Sequence, residues 1–203
     1  MAVERLEFHV EEQSMEAALR SMLPRMVGDT NFDIFTYQGK PDLLRELPKR
    51  LRSQAKWLPA NWRIIVIVDA DNENCADLRR RLDQIASDGG MRVRDGKARW
   101  QVANRIAIEE LEAWYFGDWE AVCAAYPRVR AGIVRQAAHR LPDEIRGGTW
   151  EAFERVLQGA GYFPGGLQKI AAAREIAAHM DVAVNTSPSF GKLRELMIEA
   201  CPR

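Results

Sequence analysis

The segment Arg63-Ile-Ile-Val-Ile-Val-Asp69 constrains the fold of this chain more than any other: five branched aliphatic residues in succession, closed by an acid. A strand with an apolar side chain at every position offers water no polar face, so both of its faces must be covered. Five residues are far too few to cross a bilayer. The segment is therefore read as the central strand of a parallel sheet with helices on either side. Three more segments carry strand patterns. Leu6 to Glu11 alternates Leu6, Phe8 and Val10 with Glu7, His9 and Glu11. Phe32 to Tyr37 is rich in aromatic and branched residues and stops at Gly39. Trp100, Val102, Ile106 and Ile108 keep a period of two across Arg99 to Ile108.

Between the strands the period becomes helical. Met15, Ala18, Leu19, Met22, Leu23 and Met26 mark one face after Ser14, and Pro24 is expected to kink or end that helix. Leu43, Leu44, Leu47 and Leu51 mark a basic amphipathic helix, disturbed at Pro48; Leu78, Leu82, Ile85 and Ala86 mark a third, ended by Gly89-Gly90. The fourth strand runs into a helical segment from Glu109 to Phe116. This alternation predicts an α/β fold with a doubly wound, mainly parallel four-stranded sheet over residues 1–117. Beyond Gly117 the pattern is helical only, at Ala152 to Leu157, Leu167 to Ile176 and Phe190 to Met197. Residues 118–203 are expected to form a helical extension packed on the sheet domain, because no low-complexity linker separates the two.

Composition narrows the class. In 203 residues, 47% are apolar and 29% charged, the balance of a globular protein rather than a disordered, fibrous or membrane-spanning one. Glu4 and Glu7 interrupt the N-terminal region where a secretory signal would need an apolar stretch, so the expected location is the cytoplasm. Cys75, Cys123 and Cys201 lack the Cys-x-x-Cys spacing of zinc and redox sites and are read as packing residues or free thiols. The formal net charge is zero, which gives no global attraction to nucleic acid.

In open parallel sheets ligands bind beyond the carboxyl ends of the strands, where loops and helix N-termini converge. Three acidic groups fall there: Glu11 and Glu12 after the first strand, Asp69 and Asp71 after the central one, and Glu109, Glu110 and Glu112 after the fourth. An Asp-x-Asp in extended backbone points both carboxylates the same way, and Glu109 and Glu112, three apart, share one helix face. Converging carboxylates repel one another unless neutralised. A hard cation resolves the conflict, and an all-oxygen ligand set suits Mg²⁺ or Mn²⁺. Glu11, Asp69, Asp71, Glu109 and Glu112 are thus the candidate metal ligands. Taken singly, each acid has an equally ordinary reading as a helix cap or a favourable charge at a helix N-terminus. Their coincidence on one sheet edge selects the metal reading.

Other residues are candidates for holding substrate. His9 shares a strand face with Glu11 and could orient a ligand, although a satisfied core histidine is the plainer reading for a strand buried on both faces. Gln38-Gly39-Lys40 could offer backbone N–H groups and a cation to a phosphate, but it lacks the spacing of a P-loop. Lys40, Arg45, Lys49, Arg50, Arg52 and Lys56 stand against Asp42 and Glu46 alone in that stretch. Lys49 and Arg52 are candidate phosphate contacts, weighed against the ordinary reading of a solvated helix face. Trp57, Trp62, Trp100 and Trp114 are read as core ahead of base stacking.

These residues resemble a known pattern. Val10-Glu11 with Glu16 on the following helix, Asp69-Ala-Asp71 after an apolar strand, and Ile108 ahead of Glu112-Ala-Trp114 resemble the Toprim fold. Over almost the full length, with Gln38-Gly39-Lys40 and Ser189-Phe190 also fitting, the chain is similar to the bacterial family catalogued as domain of unknown function 4276. The Toprim resemblance implies a Toprim-like sheet and magnesium chemistry on nucleic-acid phosphodiesters, as in topoisomerases, primases and nucleases of the overcoming-lysogenization-defect type. It implies Glu11 as general acid or base, Asp69 and Asp71 as metal ligands, and Glu112 with Glu109 as a second metal position. Lys192, in Ser187-Pro-Ser-Phe-Gly-Lys192, is the candidate cation for the transition state. One departure is Glu12, where many Toprim motifs have Gly. Similar chains are often encoded beside ATPases in bacterial defence modules, so the resemblance implies an ATPase partner besides DNA or RNA. Homo-oligomers are allowed, and no membrane is expected.

Three functions are therefore weighed. The leading one is a Mg-dependent nuclease or related phosphodiester enzyme. The second is a non-catalytic adaptor that binds nucleic acid or an ATPase and keeps a relict acidic edge. The third is a haloacid-dehalogenase-like phosphatase with Asp69 as nucleophile, whose motif normally continues to Thr where this chain runs Asn72-Glu73.

Overall fold

In the computed structural model, which describes residues 2–71, 73–95, 99–108, 110–145 and 147–202, strands and helices alternate from the start. β1 (Arg5–Val10) leads to α1 (Gln13–Val27), β2 (Asn31–Thr36) to α2 (Lys40–Gln54), and β3 (Trp62–Asp69) to α3 (Cys75–Asp88). β4 (Val102–Ala107) leads to α4 (Glu112–Gly117) and α5 (Trp119–Ala125). A long connection with short 3-10 turns at Ala131–Arg135 and Pro142–Glu144 then reaches α6 (Thr149–Gly159), α7 (Lys169–His179) and α8 (Pro188–Ala200). The strands form one sheet in the order β2-β1-β3-β4, and every pairing is parallel.

β3 lies where its sequence requires. Ile64 through Val68 are fully buried, and successive residues enter different cores. Ile64, Val66 and Val68 pack with Leu43, Leu47 and Leu51 of α2 and with Leu78 and Leu82 of α3. Ile65 and Ile67 join Leu6, Phe8 and Val10 of β1, the apolar face of α1, and residues from α4 through α8. The sheet is thus doubly wound, with α2 and α3 on one face and α1 and the C-terminal helices on the other. That second core is continuous from Leu6 to Ala200, so the helical extension completes the cover of the sheet. Among the described residues no helix is long and apolar enough to cross a membrane.

Several boundaries differ from the sequence expectation, each for a local reason. α1 continues past Pro24 to Val27 and stops at Gly28, whose φ of 59° lies in the left-handed region. Pro24 sits in the last turn, where a forfeited hydrogen bond disturbs little. α2 continues past Pro48 because Leu43, Leu47 and Leu51 are all fully buried. Burying each leucine contributes about 1.5–3 kcal/mol, together more than the ~3 kcal/mol that an interior proline costs. β4 is shorter than residues 99–108, since its lead-in bonds elsewhere: Gln101 and Val102 both donate their N–H to Arg92 O. α4 begins at Glu112 rather than at Glu109, and α5 is an additional short helix whose N-terminus is capped by Asp118 on Ala121 N–H at 3.3 Å.

A buried polar clamp fastens the C-terminal region to α4. Gly117 O accepts from Thr186 N at 2.8 Å, and Asn185 Nδ2 donates to Trp114 O at 2.7 Å. Asp143 accepts the Ser187 hydroxyl at 2.6 Å and the Ser189 N–H at 2.7 Å, while Trp114 Nε1 donates to Ser189 Oγ at 3.0 Å. Phe190 meets the Trp114 ring edge-on at 5.3 Å. The Ser189-Phe190 pair is therefore structural: it fixes α8 and α4, and so helps place Glu112.

Candidate functional site

The direction of winding reverses between β1 and β3, which makes their carboxyl ends the point where an open α/β sheet leaves a crevice. Glu11 leaves β1 there, and Asp69 is the last residue of β3. Both are buried, at 6% and 9% exposure. Glu11 Oε2 and Asp69 Oδ1 have no hydrogen-bond partner among the described residues. A buried carboxylate oxygen without a partner is costly, so such a pair calls for protons or counter-charge beyond the Asp69 N–H and Lys40 that already act on Glu11.

The titration behaviour follows. Burial pushes the Glu11 carboxyl up to about 7, against the pull of Lys40 and with added repulsion from Asp71 and Glu12. Asp69 is pushed well above the usual carboxylate range, by burial first and then by Glu11 and Glu112. Glu112, at the start of α4 and 3% exposed, is pushed up to about 7 by burial, with Lys169 opposing and Glu110 reinforcing. Tyr115, three residues further along the helix, has a buried hydroxyl without a partner among the described residues, and its pKa is raised by burial and then by Glu112 and Asp69. Acids from three strand ends thus act on the pKa of Asp69. Glu12, half-buried at the entrance to α1, adds to the repulsion on Glu11, Asp69 and Glu112.

Two lysines flank this cluster. Lys40, the first residue of α2, places Nζ 2.7 Å from Asp71, 3.0 Å from Glu73 and 3.3 Å from Ala70 O. Lys169, the first residue of α7, lines an open cleft of about 370 Å³ together with Glu11, Glu12, Gln38 and Gly39. Burial alone would pull its pKa down, but Glu112, Glu12, Glu110 and Asp69 push it up. Sequence reasoning missed Lys169, although a signal was there: a lysine opening a helix opposes the helix dipole and calls for nearby acids.

The candidate residues divide accordingly. Glu11 and Glu112 both raise the pKa of Asp69, so the three lie within electrostatic reach of one another. Asp71 is not aligned with Asp69, because β3 ends at Asp69 and Asp71 has a φ of 48°; its side chain is half exposed and tied to Lys40. The same-face geometry expected of the Asp-x-Asp motif applies only while the strand continues. Glu109 lies outside the described residues, as does Asn72 of the phosphatase motif, and Glu110 turns to α6, accepting the Trp150 N–H at 2.9 Å. His9 is fully buried, with Nε2 2.8 Å from Glu7 and Nδ1 2.9 Å from the Tyr37 hydroxyl, so neither ring nitrogen is left for a ligand. Burial holds that ring neutral.

The expected phosphate cradle is also engaged. Gly39 N–H donates to Glu11 O at 2.9 Å and Gln38 N–H to Asp42 at 3.0 Å, so these amides shape the β1 and α2 ends instead. The φ of 85° at Gly39 sets that turn. On α2, Lys49 pairs with Glu46, whereas Arg52 is exposed. Lys192 is exposed on α8 and pairs with Glu195 at 2.9 Å rather than with the strand-end acids. Trp100 and Trp114 are core, as expected, while Trp57 is 55% exposed.

As they stand, no three Asp, Glu, His or Cys side chains among the described residues are assembled around one position able to hold a metal ion. The donor chemistry nevertheless fits a hard cation: the unpartnered oxygens of Glu11 and Asp69 are carboxylate oxygens at the switch point. No curated protein and no solved structure matches the chain. Residues 10–198, from the end of β1 to the last turn of α8, match the family described as a domain of unknown function (DUF4276), and the protein belongs to that family.

Proposed function

We propose that this chain is a divalent-metal-dependent phosphodiester-processing enzyme, a nuclease of Toprim type that works in the cytoplasm as the effector of an ATPase-linked bacterial defence module. The observation that carries the reading is the pair of unpartnered, buried carboxylate oxygens on Glu11 and Asp69 at the reversal point of the sheet. Glu11 and Asp69 would hold Mg²⁺ or Mn²⁺, Asp71 could join them only by leaving its ion pair with Lys40, and Glu112 would serve a second position. When bound, such an ion supplies charge neutralisation and polarisation of a phosphodiester. Without a metal, burial pushes the Glu11 carboxyl up to about 7; a bound cation would hold it ionised, as a ligand and a candidate general base. Lys169, on the wall of the same cleft, is placed to meet the negative charge of a phosphate. The test is cleavage of DNA and RNA with Mg²⁺ or Mn²⁺. Glu11→Gln and Asp69→Asn should each reduce the rate by more than about a hundredfold; cleavage that survives both substitutions refutes the assignment.

One observation favours a second reading, a non-catalytic adaptor. Lys40 already neutralises Asp71, and no ready three-ligand group stands among the described residues. A relict edge of this kind would give no heat on titration with Mn²⁺, whereas the enzyme reading requires saturable binding that Asp69→Asn removes.

A further inference from the structure

The first part of the connection between α5 and α6 is one-sided in charge: residues 126–141 contain Arg128, Arg130, Arg135, His139 and Arg140, and no Asp or Glu, before Asp143 and Glu144 follow. It lies over the second half of α6, from which Arg155 meets it. Between them is a cleft of about 460 Å³ lined by Arg128, Arg130, Gln136, His139 and Arg155, with no carboxylate in its lining among the described residues. Arg130 and Arg155 form no ion pair among those residues. Arg128 is fixed without being neutralised: it donates to Gly161 O at 2.8 Å and lies 4.2 Å over the Tyr162 ring. His139 is stacked flat on Phe116, with centroids 5.3 Å apart, and its Nδ1 is buried without a partner among the described residues.

α2 is the opposite case. Arg45 pairs with Asp42 and Glu46, Lys49 with Glu46, Arg50 with Glu7, and Lys40 with Asp71. Most of its cations are engaged by nearby acids, so the helix that looked most basic in sequence is not where uncompensated positive charge collects.

The arginine cleft is also connected to the acidic edge. Glu110 accepts the Trp150 N–H at the start of α6, and Ala152, two residues on, already lines the cleft, which continues to Gly159 and Ala160. At 1.5 Å per residue it runs along roughly 10 Å of helix, away from the acids. We propose that this cleft binds the sugar-phosphate backbone of a nucleic-acid strand that continues from it to the acidic edge. Guanidinium groups match phosphate oxygens in bidentate geometry and keep their charge at any working pH. An acidic peptide would satisfy the charge as well; the shared helix with the acidic edge favours the phosphodiester. The inference rests on the phosphodiester reading of that edge.

The experiment is anisotropy of a labelled oligonucleotide, DNA and RNA in turn, titrated with the full chain in EDTA so that binding is read without cleavage. Arg130→Gln with Arg155→Gln is expected to weaken binding by about tenfold or more near physiological salt, and to make the slope of log K against log salt shallower by roughly two. Lys49→Gln with Arg52→Gln should change affinity by less than about twofold, and Arg130→Lys with Arg155→Lys should bind between wild type and the Gln pair, keeping the charge but losing the bidentate geometry. Absent binding by wild type, or binding by the Arg→Gln pair within about twofold of wild type, overturns the cleft as the site. Tighter binding of polyglutamate than of the oligonucleotide overturns the nucleic-acid assignment. The two readings fail separately: an unaffected Arg→Gln pair beside metal-dependent cleavage removes the cleft alone, and binding lost in that pair without cleavage under any metal removes the nuclease alone.

Discussion

Lys40 Nζ lies 2.7 Å from an Asp71 carboxylate oxygen, and the same ammonium pulls down the pKa of Glu11 deeper in the crevice. One cation on α2 thus serves acids from two strand ends. That arrangement neutralises the outer acid and leaves Glu11 and Asp69 with one oxygen each that has no hydrogen-bond partner among the described residues.

Lys40→Gln should therefore move the Glu11 titration above its wild-type position of about 7, because burial and the repulsion from Asp71 and Glu12 would then be opposed only by the hydrogen bond from the Asp69 backbone. Carboxyl NMR of the two proteins reads this directly. A titration that stays in place or moves down would show that Lys40 is not the counter-charge.

Stability should depend on pH in an unusual direction at this site. Glu11 and Glu112 hold protons up to about 7 when folded but only to 4.5 in their ordinary state. The folded chain binds more protons between those values, so their contribution is fully present below the unfolded pKa and is lost as pH rises through about 7. Glu11→Gln with Glu112→Gln should remove that loss and stabilise the protein above pH 7 by a few kcal/mol. Denaturant unfolding of both proteins on either side of that window is the measurement; parallel pH profiles would contradict the account.

Gly117→Ala should break the clamp between α4 and the C-terminal region. An added Cβ would fall 2.3 Å from Asn185 Oδ1 and 2.7 Å from Ser187 N. The expected cost is about 1–3 kcal/mol or more. Gly132→Ala, where nothing lies within 4 Å, should stay within about 0.5 kcal/mol in the same thermal melt.

His9→Asn should behave as a core substitution. Shortening the side chain removes the partner of the Tyr37 hydroxyl and one of the partners of Glu7, which keeps Gln54 and Arg50, at a cost on the order of 1–2 kcal/mol, while leaving Mn²⁺ affinity unchanged. A calorimetric loss of Mn²⁺ binding without a loss of stability would restore His9 to the site.

How far the sequence revealed this arrangement depended on whether the information was local. The Ile64 to Val68 run announces a strand buried on both faces, and the strand-end rule then places Glu11 and Asp69 at one crevice without further knowledge. Asp71 departs from the same-face geometry because it lies two residues beyond the end of the strand, where the backbone turns left-handed. Lys169 was missed because it comes from α7, and no pattern near Glu112 or Asp69 announces a cation that distant in sequence. The charge of α2 was overread for a related reason: one-dimensional counting sees its cations but not that Glu7, Asp71 and its own acids already pair with most of them.

The central claim is that Glu11 and Asp69 hold a divalent cation, and anomalous scattering from a crystal of the full chain soaked in Mn²⁺ tests it most directly. The account predicts a peak within about 2–2.5 Å of carboxylate oxygens from both residues. A peak elsewhere, or none at saturating Mn²⁺, would contradict it.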